Sequence, residues 1–212
     1  MGIAMMPKCF KKVICAICCM GILSAFVYGA EVKNKPAAKN SSPKKATQTV
    51  NTLTFLGEKY RLKYSTGNSQ QWINEYLLNN ENFKSYTKMV AVRSYDALQS
   101  TPKQMISSMA ANYQRQHPNV RFSVFEGANG DFGMGFFMLE GRTMEHNLYR
   151  ATTVNGHLIL IQFVYREYAA SEQRSTQELQ TMGQHVKQNL PLWKQELLSM
   201  PVPPINKTVI LE

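Results

Sequence analysis

The dipeptide Asn155-Gly156 constrains this chain more than any other local feature. A two-residue hairpin needs left-handed backbone at both turn positions, and Asn-Gly supplies it. The turn fixes a register, because side chains alternate between the two faces of a sheet. Val154 then faces His157, Thr152 faces Ile159, Arg150 faces Ile161, Leu148 faces Phe163 and His146 faces Tyr165. The other face pairs Thr153 with Leu158, Ala151 with Leu160 and Tyr149 with Gln162. Both faces are partly apolar, so a sheet covered on both sides, at least in part, is expected, with helices as the covers.

The flanking segments extend this sheet. Val120, Phe122 and Val124 alternate, Gly127 to Asp131 reads as a turn, and Phe132 to Leu139 is apolar on both faces. Gly141-Arg142 turns the chain into His146 to Val154, which makes a four-strand meander. Upstream, Leu53 to Leu56 and Lys59 to Tyr64 read as short strands around Gly57, and Thr87 to Tyr95 as another. Trp72, Ile73, Tyr76 and Leu77 have helical spacing, which predicts a helix over Ser69 to Leu78. Thr101-Pro102-Lys103-Gln104 is a helix start: Thr caps, Pro takes the first turn and Gln bonds back. Met105, Ile106, Met109, Ala110 and Tyr113 form its buried stripe, and His117-Pro118 ends it. Ser171 to Leu190 predicts a second helix with a stripe of Leu179, Met182, Val186 and Leu190. Pro191 should interrupt it, with Leu192 to Leu198 continuing as a short helix.

The chain therefore reads as one α+β domain over residues 52–200, an antiparallel sheet with helices on its faces. Its 212 residues and 44% hydrophobic content exclude a wholly disordered chain, a collagen and a polytopic membrane protein. All four cysteines (Cys9, Cys15, Cys18, Cys19) fall in a segment with its own character. Residues 13–30 carry no formal charge and follow Lys8, Lys11 and Lys12, the pattern of a secretory signal peptide. Cleavage after Gly29 puts Val27 and Gly29 at the two small-residue positions; cleavage after Ala30 puts bulky Tyr28 at the first. The apolar run is also near the lower limit for a span, so an N-terminal anchor is the alternative. Either way the domain is expected to be exported, to the periplasm first, with an extracellular or membrane-anchored place as the other outcomes. Cys18 follows Ile17 and Cys19 follows Cys18, which disfavours lipidation. The domain itself has no thiol, hence no disulfide and no Cys-based metal site.

The formal net charge of +10 is unevenly placed. The first 50 residues hold eight Lys and one acid, Glu31; the remainder holds 16 bases and 13 acids. A nucleic-acid domain carries its charge on a folded face, so a nucleic-acid partner is not expected. Residues 31–51 are rich in Lys, Asn, Pro, Ala, Ser and Thr and read as a disordered basic linker of roughly 25 Å average span. Weak contact with anionic lipid or cell-wall polymer is open to it. The Pro-rich tail, residues 201–212, has strand character at Thr208 to Leu211. It should dock on its own domain or add to a partner's sheet.

Chemistry-bearing patterns are sparse. Asp96 and Asp131 are the two aspartates, and His117, His146, His157 and His185 show no metal-binding spacing. The glycines around Asp131-Phe132-Gly133 precede a strand, not a helix, so they form no phosphate loop. Gly133 and Gly135 are expected beneath a helix or a large side chain. Met134 with Met138, and Met105 with Met109, could hold Cu(I), but adaptable core filling is the preferred reading. Asn40-Ser-Ser and Asn206-Lys-Thr match the short N-glycosylation pattern. Arg150 is the least ordinary residue. It lies mid-strand and shares a face with His146 and Tyr165. Under a helix its guanidinium needs an acid partner; in a groove the three could bind an anion or a carboxylate-bearing ligand. No catalytic residue, metal site or cofactor is expected.

The order of elements resembles the PsbP-like α/β/α sandwich, a fold also found in small exported bacterial proteins such as DcrB. The resemblance covers residues 52–199. It rests on a short strand pair, helix, strand, helix, meander and C-terminal helix, on Thr101 to His117 leading to Val120, and on the Asn155-Gly156 hairpin. The lipid-carrying Cys of the DcrB type is missing here, so that anchoring is not implied. The resemblance implies an accessory role in a larger assembly and carries over no catalytic residue. The leading expectation is an exported, non-enzymatic accessory or assembly protein of the bacterial envelope, acting on envelope protein partners. A periplasmic small-ligand or anion-binding module comes second, and a secreted effector or hydrolase third.

Overall fold

The computed structural model describes residues 51–211. The expected leader, its expected cleavage near Gly29 or Ala30 and the expected linker up to residue 50 lie outside the described residues. The described chain runs β1 (Thr52–Phe55), β2 (Glu58–Gly67), β3 (Gln71–Leu78), β4 (Lys88–Tyr95), α1 (Pro102–Gln116), β5 (Phe122–Glu126), β6 (Phe132–Glu140), β7 (Thr143–Val154), β8 (His157–Tyr168), α2 (Thr176–Ser199) and β9 (Ile210–Leu211). The strands form one antiparallel sheet in the order β1-β2-β3-β4-β8-β7-β6-β5, with β9 beside β2. The class is mixed α+β, an antiparallel sheet with two helices.

The β7–β8 hairpin has the register its turn dictates, from Val154 opposite His157 to His146 opposite Tyr165. Asn155 and Gly156 both take positive φ, 51° and 80°. α1 begins with a full capping box: the Thr101 hydroxyl accepts from the Gln104 amide, and the Gln104 side chain accepts from the Thr101 amide. The two helices cover opposite faces. On one, the α1 residues Met105, Ile106 and Met109 are buried, and the Tyr113 ring meets Phe136 at 4.8 Å. On the other, Met182, Val186, Trp193 and Leu197 of α2 join Leu148, Ile161 and Phe163 in the main core. Each such large apolar side chain contributes roughly 1.5–3 kcal/mol on burial. Met134 is also fully buried, which places three of the four singled-out methionines in the core.

Two elements differ from the sequence expectation, one of them at two points. Residues 69–78 are not a helix. Gln71–Leu78 is an interior strand, bonded to β2 on one side and β4 on the other. Its helical apolar spacing is that of a strand buried on both faces, with Tyr76 on one side and Leu77 on the other, both fully buried. A turn at Asn68, whose side chain accepts from the Gln70 and Gln71 amides, feeds it. α2 starts at Thr176, not Ser171, because Ser175 and Glu178 form a second capping box. α2 also runs through Pro191 without a break. Proline removes one helical bond, but Val186, Trp193 and Leu197 hold the turns on both sides of it against the sheet.

The tail docks on its own domain. Ile210 and Leu211 pair with Ser65 and Tyr64 of β2, continuing the edge where β1 stops. Before them, Asn206 is 3% exposed and clamped. Its amide donates to Asn74 Oδ1 at 2.6 Å, and its carbonyl accepts from Asn74 Nδ2 and Ser65 Oγ. Burial of this kind closes Asn206 to glycan transfer in the folded domain. Asn74→Ala leaves the Asn206 amide buried without its acceptor and its carbonyl with Ser65 alone, so a loss of about 1–3 kcal/mol is expected. Limited proteolysis should then cut within residues 201–209 of the variant and spare the wild type. An intact variant tail would show that the clamp does not hold it.

Candidate functional site

The face of His146, Arg150 and Tyr165, for which the sequence left a helix cover and a ligand groove open, lies beneath α2. His146 and Tyr165 are opposite each other on β7 and β8, and both approach Trp193, at 6.2 and 5.1 Å between ring centres. Tyr165 also stacks on His185 at 4.7 Å, and its hydroxyl donates to Glu167 at 2.6 Å. Burial and that carboxylate push the phenol up. Arg150 sits further along the same face and is 8% exposed. A helix covers it, and the acid it requires is Asp131. Arg150 Nε donates to Asp131 Oδ2 at 2.7 Å, while Nη1 donates to the carbonyls of Leu197 and Met200 at 3.0 and 2.7 Å. Those carbonyls close the C-terminal end of α2, so Arg150 fastens that helix to the sheet. The glycines on β6 meet their expectation. A Cβ at Gly133 would strike the Phe125 ring, and one at Gly135 the Leu148 side chain.

His146 is a buried titratable group of this face. Burial, aided by Lys194, pushes its imidazole down to about 4. The unfolded chain takes the proton first as pH falls through the ordinary histidine range. The folded chain resists until about 4, so His146 contributes stability above that ordinary range and loses it on the way down. His146→Phe should flatten the pH dependence of unfolding free energy between about 6.5 and 4. Parallel slopes for variant and wild type would rule this out.

The opposite face holds an arrangement that sequence reading missed. Glu75, Arg93, Gln162 and Asn147 form a row across β3, β4, β8 and β7, each under 5% exposed. Arg93 Nη1 donates to Gln162 Oε1 at 2.9 Å, and Gln162 Nε2 donates to Asn147 Oδ1 at 2.8 Å. Arg93 Nη2 lies 3.7 Å from Glu75 Oε1. Burial raises the Glu75 carboxyl and Arg93 opposes it. The signal was present in part: Arg93 and Gln162 each interrupt an apolar strand, and a buried charge needs company. Glu75 was hidden because its segment read as a helix with a solvated side.

A cleft of about 220 Å³ opens where the tail passes the Asn155-Gly156 turn, lined among others by Ser94, Asp96, His157, Ile159, Pro203 and Lys207. Lys207 Nζ donates to Asp96 at 2.9 Å, and His157 Nδ1 lies 3.8 Å from the same carboxylate. Ser94 Oγ is buried and has no hydrogen-bond partner among the described residues. The described residues hold no cluster of three or more metal-ligating acids, histidines or cysteines. No described helix is long and apolar enough to cross a membrane.

A protein-family model matches residues 47–191, more than half of the chain. The chain belongs to that family. The matched span runs from just before β1 to Pro191, so it takes in the Glu75–Asn147 row and the Arg150–Asp131 pair but not Trp193, the carbonyls of Leu197 and Met200, or the tail. No curated protein matches. Among solved structures, the chain is similar to a Pseudomonas aeruginosa protein of unknown function named as a candidate regulator. Identity is 10%, the TM-score is 0.37, and the match covers 72% of this chain and 96% of that one. At that level of superposition the likeness assigns neither fold nor function.

Proposed function

We propose that this chain is an exported, non-enzymatic protein of the bacterial envelope that works through protein–protein contact. The observation that supports it is the margin of the sheet at β5 and β6. Val124 of β5 is 60% exposed on the α1 face of the sheet there, and Leu139 and Phe137 of β6 are 50% and 40% exposed on the α2 face. The uncharged run preceded by lysines supports export, and residues 31–51 supply a basic tether for weak contact with anionic lipid or cell-wall polymer. We place the domain with the PsbP-like sandwiches as part of the same reading. Residues 69–78 are a strand, so that likeness now rests on α1, the meander and α2. In-cell crosslinking, then purification through a tag inserted in residues 31–51, tests the role. A repeatable, stoichiometric set of envelope proteins would support it. A chain recovered alone, or one that stays in the cytoplasm, would overturn it.

One feature favours a second reading, a small-ligand module: the cleft with the unpartnered Ser94 hydroxyl at its wall. An unchanged melting temperature across an anion and metabolite panel would remove it.

A further inference from the structure

At one margin the sheet ends in β1 and β9, each bonded to β2 alone and only four and two residues long. At the far edge β5 is bonded to β6 alone. An open strand edge is a template for pairing with another chain, and proteins that stay monomeric block it with Lys, Pro or a bulge. The five residues of β5, Phe-Ser-Val-Phe-Glu, contain neither Lys nor Pro. Its register with β6 runs without a shift from Phe122 opposite Phe136 to Glu126 opposite Phe132. Val124 stands at its centre, 60% exposed.

We propose that β5 is the interface for a second copy of this chain, added antiparallel so that one sheet runs through both subunits. The charge on β5 selects a second copy. Its ends carry opposite charge, with Arg121 exposed before it and Glu126 exposed at its close. Antiparallel pairing sets the Arg121 end of each copy against the Glu126 end of the other, whereas parallel pairing would join like ends. A two-fold contact needs a self-complementary strip, and pairing centred on Val124 would supply it, with Val124 meeting Val124 in the middle. The ion pair Glu126 makes with Lys103 is long, 3.9 Å, and about 70% exposed on both sides, so it holds Glu126 weakly. This pairing depends on neither export nor an envelope role.

Light scattering on the full chain, as purified from the producing cell, gives the test. Wild type should show a dimer mass that falls to monomer on dilution. Val124→Lys and Val124→Glu should each be monomeric throughout, because like charges would meet at the two-fold. An equimolar mixture of the two should restore the dimer. Melting temperature reports whether each variant stays folded, as substitution at so exposed a position predicts. Hydrogen exchange of wild type supplies a reading free of mutation: β5 amides should be protected at high concentration and exchange faster on dilution. A monomeric wild type, a folded Val124→Lys variant that still dimerises, or β5 exchange independent of concentration would each overturn the proposal.

Discussion

Replacing Arg150 with Met should lower the stability of the fold by about 3–5 kcal/mol, the range found when one partner of a buried ion pair is removed. The loss has two sources. Asp131 is 7% exposed and would keep its charge with no facing guanidinium. The carbonyls of Leu197 and Met200 would lose the donor that closes the end of α2. Urea unfolding measures the sum, and hydrogen exchange separates the second part, since amides in the last turns of α2 should lose protection first. Asp131→Leu added to Arg150→Met should recover part of the loss, because the stranded charge is gone while the open helix end remains. A loss below about 1 kcal/mol would mean that the pair contributes little to holding α2. If Arg150 instead served a ligand, the variant would keep its stability and lose binding, so the measurement also decides between the two readings of this residue.

How much of this was legible beforehand depended on how local the cause was. The Asn155-Gly156 turn carries its own geometry, so every pair of the β7–β8 register followed from two residues. The Thr101–Gln104 capping box is equally local. Ser175 and Glu178 carry the same signal, and the expected start at Ser171 passes over it. Residues 69–78 misled because Trp72, Ile73, Tyr76 and Leu77 satisfy a helical period and an interior strand at once. Only β2 and β4 on either side decide between them. For the site, the sequence showed that Arg150 would need an acid if a helix covered it. It could not show that Asp131, in the loop before β6, comes round to meet it. The Glu75–Asn147 row was lost for a compounded reason. One member sat in the misread segment, and Arg93 reaches Gln162 only through the placement of β4 beside β8.

That row carries the second large expectation. Arg93→Met should cost about 3–5 kcal/mol, because Glu75 keeps a buried carboxyl with its cation removed and Gln162 Oε1 loses its donor. The pH dependence gives the effect a signature. Burial already lifts the Glu75 carboxyl above its ordinary range while Arg93 holds it back. Without Arg93 the folded value rises further, and the folded state keeps a proton that the unfolded chain has released. Stability from such a group is complete below the ordinary carboxyl range and is lost as pH rises through the folded value. The deficit of Arg93→Met should therefore be smallest in mild acid and grow toward neutral pH, opposite in sign to the His146 contribution. Urea unfolding of wild type and variant across that range checks it. Adding Glu75→Leu should remove the pH-dependent part of the deficit and leave the part owed to Gln162. A deficit independent of pH would show that Glu75 and Arg93 are not electrostatically coupled across the 3.7 Å between them.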